Sequence, residues 1–419
     1  MTVFKLEIKI LAMAFRVGIG SASEDNPFFS GKFSALKALN SLGVDVPEFG
    51  LAFSYHEYPV YQVYDGIKSS VGEKNLIVVN SQSNILGVTN KKRCVNLALF
   101  AGHSFHYAIT LVNNVRNNPY LGGHHLAWGL LNILETKTKG KESLKKVAIV
   151  FVSDSFIEKN EFLKGMQEVL GLKFPIVGGT ISTFTPLKPG NVTFNREGIN
   201  DSAVGILLGG ENLIVGIGGD HGWIPLGLPK KIKKSDKNRI QDLEDITPLK
   251  YYSKYLGSNL NIISDETKTI STIYPLGVEL ENEKDKYIIR FPRNFEPGGS
   301  MIFDCVENEG ENVRLMMGNR EELLQATQRA LSKALQPFEE ENTLPVFILL
   351  ISAVERKELL GIDVSQELSM IRKKVSEHTK IFGFYTYGQV GPLGGTQDLR
   401  PMYYQNGAII ILAIGLRKT

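Results

Sequence analysis

Two arginines stand where short apolar runs end: Arg290 in YIIRFPRNF, just ahead of Phe291-Pro292, and Arg356 in SAVERKELLG. A guanidinium at a strand end suits bidentate capture of a carboxylate or phosphate, although an isolated arginine is more often a surface or structural residue. The run KIFGFYTYGQVGP, 380–392, carries an apolar stretch straight into Phe384, Tyr385 and Tyr387, two glycines and Gln389. Strand alternation turns Phe384 to one face and both tyrosines to the other. Tyr385, Tyr387 and Gln389 are therefore expected to line a pocket while Phe384 enters the core. FPIVGGTIS offers Gly178, Gly179 and Thr180 in a comparable place. Such glycines let backbone N–H groups approach an anion and the hydroxyl adds a donor; equally, paired glycines let two sheets pack closely.

Other candidates are weaker. Asp220–His221 in GGDHGWIPLG has the composition of an acid/base pair, but no third member accompanies it, so a tight turn whose Trp223 seals a core edge is preferred. His103 and His106, and the adjacent His124 and His125, match no zinc spacing, and no metal is expected. Gly18 and Gly20, like Gly216, Gly218 and Gly219, never complete G-x-G-x-x-G. No phosphate loop and no G-x-S-x-G elbow occurs, and no cofactor is expected. Cys94 and Cys305 are the only cysteines, which excludes a disulfide framework. Cys305 alternates with Met301 and Phe303 on one strand face, the pattern of an inert core thiol.

The elements that must position these groups form a repeat. FGLAFSYHEY, VAIVFVSDSF and VFILLISAVE are buried-strand runs ending near a serine; a helical stretch and a second apolar run follow each, NLIVVNSQS, FPIVGGTIS and IFGFYTYGQ. A third run, VNLALFAG, SAVGILLGG or GAIIILAIG, closes each unit. Strand, helix and strand within roughly 30 residues is one parallel crossover, and the third strand follows without a helix, so it can pair antiparallel. The fold class is mixed α/β, with repeated strand–helix–strand–loop–strand units forming mixed sheets packed with helices. LPKKIKKSDKNRIQDLED reads as an exposed basic hairpin turning at Ser-Asp-Lys-Asn rather than a nucleic-acid patch, since acids are interspersed and aromatics are not. Thr247-Pro248 then caps a helix ending at Gly257. Residues 319–335 form an amphipathic helix with Leu323, Leu324, Thr327, Leu331 and Leu335 on its apolar stripe.

In bulk, 419 residues, 43% hydrophobic and 22% charged, with a net charge of +3, describe a globular chain of two or three domains with no charge bias toward nucleic acid. No apolar run reaches the roughly 20 residues of a membrane span. A cytoplasmic setting without membrane contact is expected. MAFRVGIGSAS already starts strand-like at Met13, so residues 1–12 read as a start-site extension.

Several stretches together resemble the FIST domains, a sensory module. In the N-terminal half they are FPIVGGT, VGILLGG and GDHGWIPLG. In the C-terminal half they are YYSKYLG, YPLGV, IIRFP, MGNREELLQATQRAL, LLISAVER and FGFYTYGQVGPLGG. The resemblance runs from about residue 45 to the C-terminus and suggests an N-terminal extension over 1–44, a FIST N-like domain over 45–246 and a FIST C-like domain over 247–419. It implies a stand-alone prokaryotic module binding a small metabolite such as an amino acid, with a signalling partner for output. The ligand-binding residues would be Tyr385, Tyr387, Gln389, Arg356, Gly178, Gly179, Thr180, His221 and Arg290. Two departures bear on chemistry: Ser352-Ala353 stand where the family commonly ends its strand in cysteine, and Gly388-Gln389 where it commonly reads glycine–glutamate. Without that thiol and carboxylate the best nucleophile and base are gone, and binding without catalysis is expected. The alternatives are a hydrolase or transferase using Asp220–His221 or Ser352 with Arg356, and a protein-interaction scaffold.

Overall fold

The computed structural model describes residues 15–43, 46–91, 93–141, 143–183, 188–257, 270–280, 286–395 and 401–417; the start-site reading of residues 1–12 lies outside them. The first unit comprises β1 (Arg16–Ala22), α1 (Pro27–Leu42), β2 (Phe49–Tyr55), α2 (Val60–Val71), β3 (Asn75–Ser81), a hairpin of β4 (Asn84–Leu86) and β5 (Thr89–Lys91), and β6 (Val95–Ala101). The second comprises β7 (His106–Asn113), α3 (Pro119–Thr138), β8 (Lys145–Ser153), α4 (Lys159–Leu170), β9 (Ile176–Ile181), β10 (Val192–Phe194) and β11 (Ser202–Gly210). β12 (Leu213–Asp220) opens the third.

An inserted sheet follows β12: β13 (Trp223–Asp236), β14 (Arg239–Leu243), α5 (Pro248–Leu256), β15 (Leu276–Glu279), β16 (Tyr287–Arg290), β17 (Asn294–Phe295), β18 (Met301–Ile302) and β19 (Asn312–Gly318). The third unit resumes with α6 (Arg320–Glu340), β20 (Phe347–Ala353), α7 (Val354–Leu360), α8 (Val364–Lys373), β21 (Lys380–Thr386), β22 (Gln389–Gly391), β23 (Gly394–Gly395), β24 (Tyr403–Gln405) and β25 (Ile409–Leu416).

Each unit repeats one topology. The closing strand inserts antiparallel between the first and second strands, and the second pairs parallel with the third, giving β1-β6-β2-β3, β7-β11-β8-β9 and β12-β25-β20-β21. The parallel pairs β2–β3, β8–β9 and β20–β21 are the crossovers expected from spacing. The repeat is larger than the sequence pattern indicated, because a leading strand and helix begin each unit; residues 16–42 supply them in the first. The third unit straddles residue 246, since β12 shares a sheet with β25. The glycine pairs that fit no nucleotide motif serve these leading strands. A Cβ at Gly216 or Gly218 would lie 1.9 Å from Ala334 O or Ala330 O of α6, so only glycine lets that helix rest on β12.

Local chemistry sets the element ends. Asn26 and Asn118 accept the Phe28 and Leu121 N–H groups at the starts of α1 and α3, each followed by a first-turn proline. Thr247 caps α5 through Lys250 N–H, and Asn319 caps α6 through Glu322 N–H. The basic hairpin is β13–β14, with Ile232 and Ile240 buried at its base and its lysines turned outward.

The units exchange strands cyclically. β10 of the second unit pairs with β3 of the first, β22 of the third with β9 of the second, and β4 of the first with β21 of the third. Their inner faces share one core. Phe53 lies 5.7 Å from Phe151 and 4.4 Å from Phe384, and Phe151 lies 5.8 Å from Phe384, centroid to centroid. Burying each such ring stabilises by about 1.5–3 kcal/mol.

Candidate functional site

The register fixes which residues are equivalent at the centre. Val79, Gly179 and Phe384 stand opposite Phe53, Phe151 and Ile351 on the second strands. The three residues that follow, Asn80-Ser81-Gln82, Thr180-Ile181-Ser182 and Tyr385-Thr386-Tyr387, run just past the end of each third strand and line one crevice. It is closed, with essentially no volume for a water-sized sphere. Gly179 is the point of strand exchange: a Cβ there would lie 2.8 Å from Gly388 O. Gly178 pairs with Val390 of the exchanged strand. Thr180 N–H donates to Gly388 O at 2.9 Å, and the Thr386 hydroxyl donates to Thr180 O. The Thr180 hydroxyl itself is buried without a hydrogen-bond partner among the described residues.

Phe384 packs in the shared core while Tyr385 and Tyr387 face the helices, as alternation requires. Burial pushes both phenols upward. Lys357 Nζ lies 5.0 Å from the Tyr385 ring and the Arg293 guanidinium 5.4 Å from that of Tyr387. Gln389 faces no cavity. Its amide donates to Thr386 O at 2.7 Å and accepts Ala408 N–H at 3.0 Å, stapling the turn between β21 and β22.

Arg356 and His221 meet in a different place, under α6. Arg356 donates to Glu367 at 2.6 Å, Thr327 Oγ1 at 2.7 Å, Leu323 O at 2.9 Å and His221 O at 2.6 Å. Burial drives the His221 imidazole down to about 4, Asp220 opposing and Arg356 assisting. Its Nδ1 accepts Trp223 N–H, while Asp220 pairs with Arg329 at 2.7 Å. The neutral, internally bonded imidazole and the diverted carboxylate form no acid/base pair.

A cleft of about 1180 Å³ lies elsewhere, between α4, the β15–β16 pair, residues 306–312 and residues 401–404. At its floor Arg290 Nε lies 2.8 Å from Glu307 Oε1, both side chains buried. Burial pushes the Glu307 carboxyl up to about 8, with Arg290 pulling against it. Arg290 also donates to Tyr404 O at 3.3 Å and Asn406 Oδ1 at 3.4 Å. Glu279, Glu309, Glu311 and Lys231 edge the cleft, and Gln167 Nε2 straps its far wall through Met402 O at 2.8 Å.

Tyr404 divides this cleft from a small inner chamber that also touches Lys159, Gly179 and Thr180. Beyond it runs a buried network. Lys159 pairs with Asp154 at 2.9 Å, and the Ser182 hydroxyl donates to the same carboxylate at 2.5 Å. Burial alone would depress the Lys159 ammonium, but Asp154 and Asp304 hold it raised. Arg293 bridges Asp304 at 3.1 Å and Glu355 at 2.9 Å. Burial lifts Glu355 to about 7 against Arg293. Asn406 donates to Asp304 at 3.3 Å and to Tyr387 O at 2.8 Å, closing a path from the cleft floor to the central crevice.

Of the residues singled out in the sequence, Arg290 lies at this floor, Gly178, Gly179, Thr180, Tyr385 and Tyr387 lie at or beside the crevice, and Gln389 holds its turn. Arg356 and His221 stand apart. Sequence reasoning missed Lys159, Asp154, Asp304, Glu307, Tyr404 and Asn406. Asp154, directly after a serine-ended strand, was the one with a positional signal. Burial takes the Cys305 thiol up to about 12, in keeping with an inert core cysteine. Among the described residues no cluster of three histidines, cysteines or carboxylates is placed to hold a metal, and no helix is long and apolar enough to cross a membrane.

Three strand-exchanged α/β units surround a shared core, and an inserted sheet closes a charged cleft. The chain belongs to the FIST family: the FIST N domain matches residues 48–246 and the FIST C domain residues 248–392. FIST domains are sensory, small-ligand-binding domains of signal transduction. No curated protein matches the chain. Among solved structures, cyanuric acid hydrolase from A. caulinodans is similar over 46% of this chain and 71% of its own, at 9% identity and a TM-score of 0.27. PurLQS from Thermotoga maritima is similar over 96% and 72%, at 10% identity and a TM-score of 0.23. Likenesses this low carry no argument about fold or activity.

Proposed function

We propose that this protein senses a small zwitterionic metabolite of the amino-acid class, bound at the cleft floor without chemical conversion. The observation that carries the reading is the Arg290–Glu307 pair lying buried at the base of a metabolite-sized cleft. An α-carboxylate matches the guanidinium fork and an α-ammonium matches the glutamate, so one zwitterion replaces both halves of the existing pair. Binding pockets commonly combine such convergent polar groups with apolar walls. The network through Asn406 and Tyr387 would then carry the change to Thr180, Tyr385 and the central crevice, and a partner protein would read it there.

The test is a thermal-shift and calorimetric panel of amino acids beside the amines and carboxylic acids that share only one end of them. A zwitterion at a hundred times its Kd stabilises by about 2.7 kcal/mol, a readable shift. Single-charge analogues stabilising as much as the parent amino acids, or no member acting at all, would sink the reading. Because Glu307 must ionise to accept an ammonium, affinity is expected to rise between pH 6 and pH 8 with release of a proton.

A further inference from the structure

We infer that the ring of Tyr404 occupies the side-chain seat of this ligand, and that the seat is built for an aromatic amino acid. The inference rests on the zwitterion reading above and specifies what the third substituent of that zwitterion must be. Tyr404 touches the cleft on one side and the inner chamber on the other. Phe162, Leu163, Met166, Val152 and Val390 line that chamber with apolar surface. Two cations, Lys159 Nζ and the Arg290 guanidinium, each lie 5.6 Å from the Tyr404 ring centroid. Cations at that range favour a π-face over an aliphatic chain, so the surroundings select for a flat aromatic.

Tyr404 fills this seat imperfectly. Its hydroxyl is buried with no hydrogen-bond partner among the described residues, and so is the Thr180 hydroxyl on the same chamber. A buried hydroxyl without a partner is destabilising. The tip reaches the strand-exchange turn at Gly388, where a Cβ would lie 2.1 Å from it. With the ring in place the chamber has only about 10 Å³ free, room for about one water. A ligand side chain therefore enters by exchange, the tyrosine swinging toward the cleft where its hydroxyl meets solvent. A ligand phenol or indole N–H would meet the Thr180 hydroxyl. Because Arg290 holds both the Tyr404 carbonyl and the ligand carboxylate, floor and seat fill together.

The experiment is calorimetry of the full chain with phenylalanine, tyrosine, leucine and glycine, repeated on Tyr404→Ala and Tyr404→Phe. In the unmodified protein the aromatic pair is expected to bind at least tenfold tighter than leucine, with glycine weakest. Tyr404→Ala removes the ring that must be expelled, and phenylalanine should bind it several-fold tighter. Tyr404→Phe keeps the ring, discards the unpartnered hydroxyl and so seats better, which should weaken phenylalanine and spare glycine; it decides the matter should the alanine variant fail to fold. Equal binding of glycine, leucine and phenylalanine overturns the seat and leaves the cleft-floor reading standing. Binding of none overturns both.

Discussion

Two buried arginine–glutamate pairs, Arg356–Glu367 and Arg290–Glu307, have nearly the same length, 2.6 Å and 2.8 Å, and almost no exposure. Their surroundings differ in kind. Arg356 is encircled by two carbonyls and a threonine hydroxyl beside its carboxylate, with α6 and α8 packed around it. Arg290 and Glu307 lie at the base of a cleft, and the Tyr404 carbonyl and Asn406 bond the arginine at longer range. The first arrangement ties helices to a sheet; the second lines the base of a cleft. Bond length and the neighbouring cleft separate the two pairs, and residue type does not: Arg356 bonds at 2.6–2.9 Å, Arg290 at 3.3–3.4 Å to Ile289 O, Tyr404 O and Asn406.

The comparison can be broken by experiment. The largest effect belongs to Arg356→Met, which strands Glu367 without access to the cleft; a loss of about 3–5 kcal/mol in denaturant unfolding is expected, and a loss under 1 kcal/mol would erase the distinction. Gln389→Ala leaves a buried carbonyl and a buried N–H without partners and should cost about 1–3 kcal/mol. Arg290→Met should cost about as much in unfolding, yet abolish the ligand-induced thermal shift that Gln389→Ala retains.

A smaller effect appears in pH titration. Glu307 and Glu355, raised to about 8 and about 7 from an ordinary 4.5, hold protons in the folded chain that the unfolded chain has released. Folding thus takes up protons across this window, and stability falls as pH rises from about 4.5 through 8. Glu307→Gln should flatten that slope by at most about 1.4 kcal/mol per pH unit; an unchanged slope would show the carboxylate already ionised. Asp304, held low by Arg293 and Lys159 against its burial, acts in the opposite sense at acid pH. The smallest change is expected for Lys233→Ser with Lys234→Ser on the exposed hairpin, within about 0.5 kcal/mol of the parent.

What could be read from sequence was local. The crossovers, the cap at Thr247, the α6 stripe and the opposite facing of Phe384 and Tyr385 depend on residues a few positions apart, where period and propensity act. The cleft floor was half legible: Arg290 was visible as an arginine ending a strand, but Glu307 is one acid among several in VENEGEN and carries no positional signal. Lys159 meets Asp304 from 145 residues away, and Asn406 reaches it across 102. No spacing rule spans such distances. Gln389 and His221 carried the right atoms for a site, and only their bonding partners show that these serve the backbone.

The cyclic exchange of strands also governs the order in which the protein can be made. The first sheet lacks its outer strand until residues 192–194 emerge, the second until 403–405, and the third gathers pieces from 84–91, 213–220 and 409–416. During synthesis β3 and β9 therefore present bare edges, the surface from which aggregation starts. The long loops that must close also predict slow refolding. Only when β25 inserts between β12 and β20 is the last of the three sheets complete.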